Sequence, residues 1–124
     1  MEQRRDPLSL ARRIVEIATD HKAEEPVVMD MRPISTETDV FIVLTAQSRQ
    51  HAHSLSKYIR EALRKEGVRP VTVEGETAAR WICLDCGSVW VHIFTADLRG
   101  YYDLEDLWRD APRLDVESGL ARPA

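Results

Sequence analysis

The run Val40-Phe41-Ile42-Val43-Leu44-Thr45 limits what this chain can become more than any other stretch. Side chains alternate between the two sides of a strand, and here both sides are apolar. Such a strand belongs inside a sheet with cover on both faces, and helices are the usual cover. An α/β fold is therefore the starting expectation, with Val40–Thr45 as a central strand, paired on both sides.

The flanking segments supply the helices. Asp6-Pro7 reads as an N-cap followed by proline in the first turn. Leu10, Ile14, Ile17, Ala18 and His21 then recur at three- and four-residue spacing, which predicts an amphipathic helix ending near Lys22. Ser48 is a plausible cap for a second helix whose buried stripe is Ala52, Leu55, Ile59, Ala62 and Leu63. Gly67 stands where a left-handed C-terminal cap belongs. Val27–Met31 reads as a strand, with Val27, Met29 and Met31 on one face, and pairs naturally with the central strand as a hairpin across the polar connection 33–39. Pro70–Val73 predicts a short strand ended by Glu74-Gly75-Glu76. Trp81–Asp85 and Val89–Thr95 predict two more, joined at Cys86-Gly87-Ser88. Asp103 then caps a short helix with Leu104, Leu107 and Trp108 on one side.

The order is helix, two strands, helix, three strands, short helix. This is an α/β chain with a mixed sheet of about five strands, in which the second helix is a candidate crossover between parallel strands. Its 124 residues fit one domain that can build a core without metals or disulfides. The expected domain is 1–110. Residues 111–124 carry two prolines and little apolar periodicity, and read as a disordered tail.

Composition narrows the function classes. No apolar run approaches the roughly 18 residues of a membrane span. Met1–Arg13 mixes Glu2 and Asp6 with its arginines and has no apolar core, so no export or organelle signal is expected, and a cytoplasmic setting follows. Only two cysteines occur, Cys83 and Cys86, which suits a reducing compartment. The net charge is −4, whereas a protein that grips phosphates needs a basic face. Little direct nucleic-acid binding is expected, and a basic protein is the better partner.

The last hairpin is the most informative segment for a site. A two-residue loop, either Cys86-Gly87 or Gly87-Ser88, puts Trp81, Cys83 and Asp85 on the same face as Trp90, His92 and Phe94. Ile82, Leu84, Val89, Val91 and Ile93 then share the other face, which is aliphatic and suited to the helices. Aromatic and charged residues mixed on one surface resemble the core of a protein interface. Glu74 and Glu76, just upstream, would form an acidic rim complementary to a basic partner. The competing arrangement has a helix over this face too, with Trp81 and Trp90 as ordinary core.

Chemistry is harder to find. Cys83-Leu84-Asp85-Cys86 matches C-x-x-C, but residues three apart on a strand point to opposite faces, and no second pair completes a zinc site. A metal-binding or enzymatic reading would have to use Cys83, Cys86 and His92. His51 and His53 do not share a helix face. The five glycines form no phosphate-binding loop.

From about Ala11 to Trp108 the chain is similar to the ribosome-silencing factors, the Iojap family. The resemblance is carried, in order, by Asp30, Ser35 with Thr38-Asp39-Val40-Phe41, Ser48-Arg49-Gln50-His51 and Gly67-Val68-Arg69-Pro70. It continues through Val73-Glu74-Gly75-Glu76, Trp81-Ile82 with Leu84-Asp85-Cys86-Gly87, and Val91-His92-Ile93-Phe94. Tyr101-Tyr102-Asp103-Leu104-Glu105 with Leu107-Trp108 ends it. The resemblance implies a nucleotidyltransferase-like fold without its catalytic acids, no enzymatic activity and no cofactor. It implies binding to the large ribosomal subunit through ribosomal protein fourteen, a steric block to small-subunit joining, and repression of translation when nutrients are short. It admits a homodimer of the free protein. By the same resemblance the contact surface includes Trp81, Asp85 and Glu74-Gly75-Glu76; on strand alternation Trp90 lies beside it and His92 orients or fills the face. Three positions depart from the family pattern: Ala46 stands where glycine is usual, Cys86 where an aromatic is common, and Trp90 where valine is common.

Overall fold

The computed structural model describes residues 6–68 and 72–114. Helix α1 (Pro7–Asp20) starts at Asp6, whose carboxylate accepts the Ser9 N–H at 3.2 Å. Strand β1 (Glu24–Asp30) leads into β2 (Val40–Ala46), which is buried at every position, as its two apolar faces require. Helix α2 (Arg49–Lys65) starts at Ser48, whose hydroxyl accepts the His51 N–H. It ends in a left-handed Gly67 (φ +87°), with the Val68 and Gly67 amides returning to the Leu63 and Arg64 carbonyls. Those two bonds satisfy helix-end carbonyls that would otherwise be orphaned. Strands β3 (Thr72–Glu74), β4 (Trp81–Asp85) and β5 (Val89–Thr95) follow. Two short helices close the described chain, α3 (Ala96–Tyr102) and α4 (Leu104–Leu107).

The sheet order is β1-β2-β5-β4-β3, with β2 and β5 parallel and every other pair antiparallel. A mixed five-stranded sheet was expected, and β3 runs in the same direction as β2. The connection through α2 is thus the anticipated crossover. Cys86 donates its N–H to the Val89 carbonyl, so Gly87-Ser88 is the hairpin loop. Gly87 takes φ +83°, the positive value that two-residue hairpin turns demand at their first position.

One side of the sheet, with Val40, Ile42, Leu44, Ile82, Leu84, Val89, Val91 and Ile93, packs against Leu10, Ile14 and Ile17 of α1 and Leu55, Ile59 and Leu63 of α2. On the other side Met29, Met31, Phe41, Val43 and Phe94 form a second cluster with Leu104 and Ala111, and Leu98 and Trp108 pack against it. Both faces of β2 are therefore covered, by two long helices on one side and short elements on the other.

Two expectations need correction. Helix α3 was not expected: Ala96–Tyr102 contains Gly100 and two tyrosines and shows no helical apolar stripe. Its position is fixed from outside by Arg99, whose guanidinium donates to the Glu25 carbonyl (2.6 Å), the Thr45 hydroxyl (2.7 Å) and the Glu105 carboxylate. The predicted tail also starts too early. Residues 111–114 continue the sheet along β1: the Asp30 N–H donates to the Pro112 carbonyl (2.7 Å) and the Leu114 N–H to the Val28 carbonyl (2.9 Å). Ala111 and Leu114 are buried. Edge backbone groups need partners, and that need held this segment without any periodicity in its side chains. Residues 115–124, the rest of the predicted tail, lie outside the described residues, as does Pro70 of the expected third strand.

Candidate protein-docking face

The ladders assemble the second face in rows. Phe41, Trp90, Asp85 and Thr72 stand side by side across β2, β5, β4 and β3. Val43, His92, Cys83 and Glu74 form the next row, and Thr45, Phe94 and Trp81 the third. The hairpin grouping expected from alternation is thus realised, and β3 adds Glu74 to the same face.

The face is covered over one half. Phe41, His92 and Phe94 are buried, Phe41 and Phe94 in a cluster with Leu98 of α3 and Leu104 of α4. Trp81, Cys83, Asp85 and Trp90 are half-buried toward β4 and β3, and Glu74 is exposed. The competing arrangement, with helices over this face too, therefore describes the β1–β2–β5 end and not the β4–β3 end. Trp81 sits on the boundary. Its ring lies 5.0 Å from Phe94 and 4.7 Å from Tyr102 of α3, and its indole N–H donates to His92 Nδ1 at 3.2 Å. Gly75 adjoins it from below: a Cβ at this position would lie 2.0 Å from the Trp81 carbonyl oxygen, and the backbone there is at φ +83°. Any side chain at 75 must displace the Trp81 backbone, so glycine there lets the anchor strand approach this closely.

The six predicted site residues do not all meet. Trp81, Trp90, Asp85 and Glu74 share the open half. Part of Asp85 serves its own turn, accepting the Gly87 N–H at 2.8 Å. His92 lies beneath the surface and touches its neighbours rather than a partner. Glu76 turns the other way: its carboxylate meets Arg60 (3.3 Å) and His53 (3.8 Å) of α2, on the helix side of the sheet. It is tied down within the chain and does not extend the rim. Residues missed as site candidates are Tyr101 and Tyr102, which stand in edge contact with each other, and Leu107. All three are exposed, Tyr101 to 79% and Leu107 to 65%. The two tyrosines continue the aromatic surface beyond Trp81. The signal was present in the adjacent tyrosines, but nothing local showed that α3 would bring them beside β4.

A thiol-and-imidazole metal site has no geometric basis. Cys86 packs against the helix-side core, while Cys83 lies on the aromatic face. Burial pushes the Cys83 thiol up to about 11 and the Cys86 thiol up to about 12, with help from Glu74 and Asp85 for the first and Asp85 for the second. Both are protonated at neutral pH and poor as ligands or nucleophiles. Among the described residues no group of three or more His, Cys, Asp or Glu side chains is placed to hold a metal ion. No helix among them is long and apolar enough to cross a membrane.

Burial also lowers His92 to about 4. The unfolded chain, with His92 near 6.5, binds the extra proton first. Stability is therefore complete above pH 6.5 and falls as pH drops toward 4. A shift of this size amounts to about 3 kcal/mol at its full extent. Asp30 and Asp97, lowered by hydrogen bonds from Arg32 and from Thr95 and Arg80, lose their contributions only below the ordinary carboxylate range. Urea midpoints of wild type and His92→Leu should diverge most between pH 7 and pH 4.5, the wild type losing stability that the variant keeps. Parallel curves for the two proteins across that window would show that His92 is not the group responsible.

The architecture is that of a small α/β domain whose distinctive surface is a half-open aromatic face with acidic side chains at its border. Residues 4–124 match the family described as "Ribosomal silencing factor during starvation", and the chain belongs to that family. It is 36% identical over 101 residues to the ribosomal silencing factor RsfS of Bacillus subtilis, covering 82% of this chain and 86% of that one. It is 29% identical over 98 residues to the mouse protein named mitochondrial assembly of ribosomal large subunit protein 1, covering 77% of this chain and 43% of that longer one. A crystal structure of a Chromobacterium violaceum protein superposes with a TM-score of 0.81 at 25% identity, covering 97% of this chain and 92% of that one.

Proposed function

We propose that this chain silences ribosomes by docking its aromatic face on the large subunit, through ribosomal protein fourteen, so that its bulk keeps the small subunit from joining. The observation that carries this reading is Trp81. It is a half-exposed tryptophan at the edge of a rigid sheet, packed on Phe94 and Tyr102, with its donor already satisfied. Preformed aromatic anchors of this kind dominate binding energy in protein interfaces. Glu74 and Asp85 border it and would face basic side chains, setting association rate and orientation more than raw affinity. The mouse relative's name concerns the large subunit, which agrees with the choice of partner. Repression of translation under nutrient limitation, in the cytoplasm, follows from the same action. The action we propose is steric: the docked chain occupies space and needs no chemistry at the face.

Co-sedimentation of the purified protein with isolated large subunits, followed by addition of small subunits, tests this. Stoichiometric binding and a lowered yield of joined ribosomes are expected. The binding should weaken only mildly between low and moderate salt, because a few ion pairs and not an array of phosphate contacts are involved. Folded protein that leaves the large subunit bare, or binds it without affecting joining, would overturn the proposal.

A further inference from the structure

We propose that His92 is a positioning residue: its single hydrogen bond fixes the Trp81 indole for docking and keeps the indole N–H satisfied, so that the partner's pocket can be wholly apolar. This rests on the docking reading above. The ladder sets Cys83 directly opposite His92 and Trp81 opposite Phe94. The Trp81 side chain thus leans along the face to its diagonal neighbour, a contact within reach of an aromatic residue.

His92 is 5% exposed, and its Nδ1 accepts the indole N–H at 3.2 Å. An accepting Nδ1 puts the proton of the neutral ring on Nε2. That atom is buried without a hydrogen-bonding protein group, and the Phe41 ring stands edge-on 4.7 Å from the imidazole. Leucine would fill this space with no polar atom left over, so histidine is the worse choice for folding. The one bond it makes goes to the anchor. A tryptophan that enters an apolar pocket strips water from its own N–H, and that donor must then find an acceptor or remain unpaired. His92 supplies the acceptor from within the chain. It also limits the indole's rotation before contact, which reduces the ordering needed on binding.

The test uses the full chain labelled with nitrogen-15, with the Trp81 indole resonance assigned from Trp81→Phe. His92→Leu should melt at the same or a higher temperature than wild type, move the Trp81 indole resonance toward that of a water-exposed indole, and bind large subunits about fivefold more weakly. His92→Asn, whose side-chain oxygen can accept, should recover part of the affinity. In a Trp81→Phe background, which has no indole N–H, His92→Leu should change binding by less than twofold. An indole resonance that does not move in His92→Leu overturns the proposal, as does a fivefold loss that persists in the Trp81→Phe background. Wild type that binds beside an equally strong His92→Leu overturns the positioning role alone. Wild type that does not bind at all removes the docking reading and this role with it, while the indole resonance still reports whether the bond exists.

Discussion

Trp81→Ala is expected to weaken binding to isolated large subunits about thirtyfold or more, the equivalent of about 2 kcal/mol or more for truncating an aromatic anchor. The indole is half-buried, so its removal withdraws the part that would enter a partner's pocket. The variant should still fold, because the helix-side core beneath β4 is formed by Ile82 and Leu84 and does not involve Trp81. It also strips cover from Phe94 and leaves His92 Nδ1 without its donor, so a modest fall in melting temperature should accompany the binding loss. The comparison with Trp90→Ala is instructive. Trp90 also stands in the open half, but its ring stacks on the buried Phe41, with ring centres 5.9 Å apart. Its truncation should therefore affect stability more than binding. A folded Trp81→Ala protein that sediments with large subunits as well as wild type does would place the contact surface elsewhere.

The second large effect is on stability. Arg99→Ala should lower it by about 3 kcal/mol, because removing one member of a largely buried ion pair leaves the other charge without compensation. Arg99 and Glu105 have side-chain exposures of 11% and 13%. The same guanidinium supplies donors to the Glu25 carbonyl and the Thr45 hydroxyl, which ties α3 and α4 to β1 and β2 at once. For a chain of this size the loss corresponds to a fall in melting temperature of roughly 10 °C or more. Arg99→Leu combined with Glu105→Leu should recover much of it, since replacing both charges removes the uncompensated carboxylate. A melting point for Arg99→Ala within about 2 °C of wild type would show that this pair does not hold the cover in place.

The two effects separate what could be read from the chain and what could not. Strand β2 was legible as an interior strand because both its faces are apolar. The helices were legible because Asp6, Ser48 and Gly67 mark their ends and the stripes between have helical period. The β4–β5 hairpin was legible because strand alternation has a period of two and a two-residue loop preserves it in either register. From that alone Trp81, Asp85, Trp90 and His92 could be put on one face. Alternation gives only the face, though, and not the depth. It could not tell that His92 would be buried among Phe41, Phe94 and Trp81 while Trp81 stayed at the border.

Glu76 shows the same limit from the other side. It lies two residues from Glu74, yet the turn at Gly75 swings it to Arg60 and His53 on α2. No count of residues along the chain reveals that turn's direction.

Local signals, namely caps, turn residues and apolar period, thus determined the elements, the aliphatic side of the sheet and the membership of the aromatic face. Those signals act between residues a few positions apart, and their strength is carried in the sequence itself. The tertiary structure alone decided that Gly100-Tyr101-Tyr102 would be helical, that residues 111–114 would lie along β1, and that half of the aromatic face would stay open. Each depends on a partner far away in the chain. Arg99 reaches Glu25 and Thr45, Pro112 meets Asp30, and Tyr102 meets Trp81. Such contacts form only once the sheet has brought those partners together.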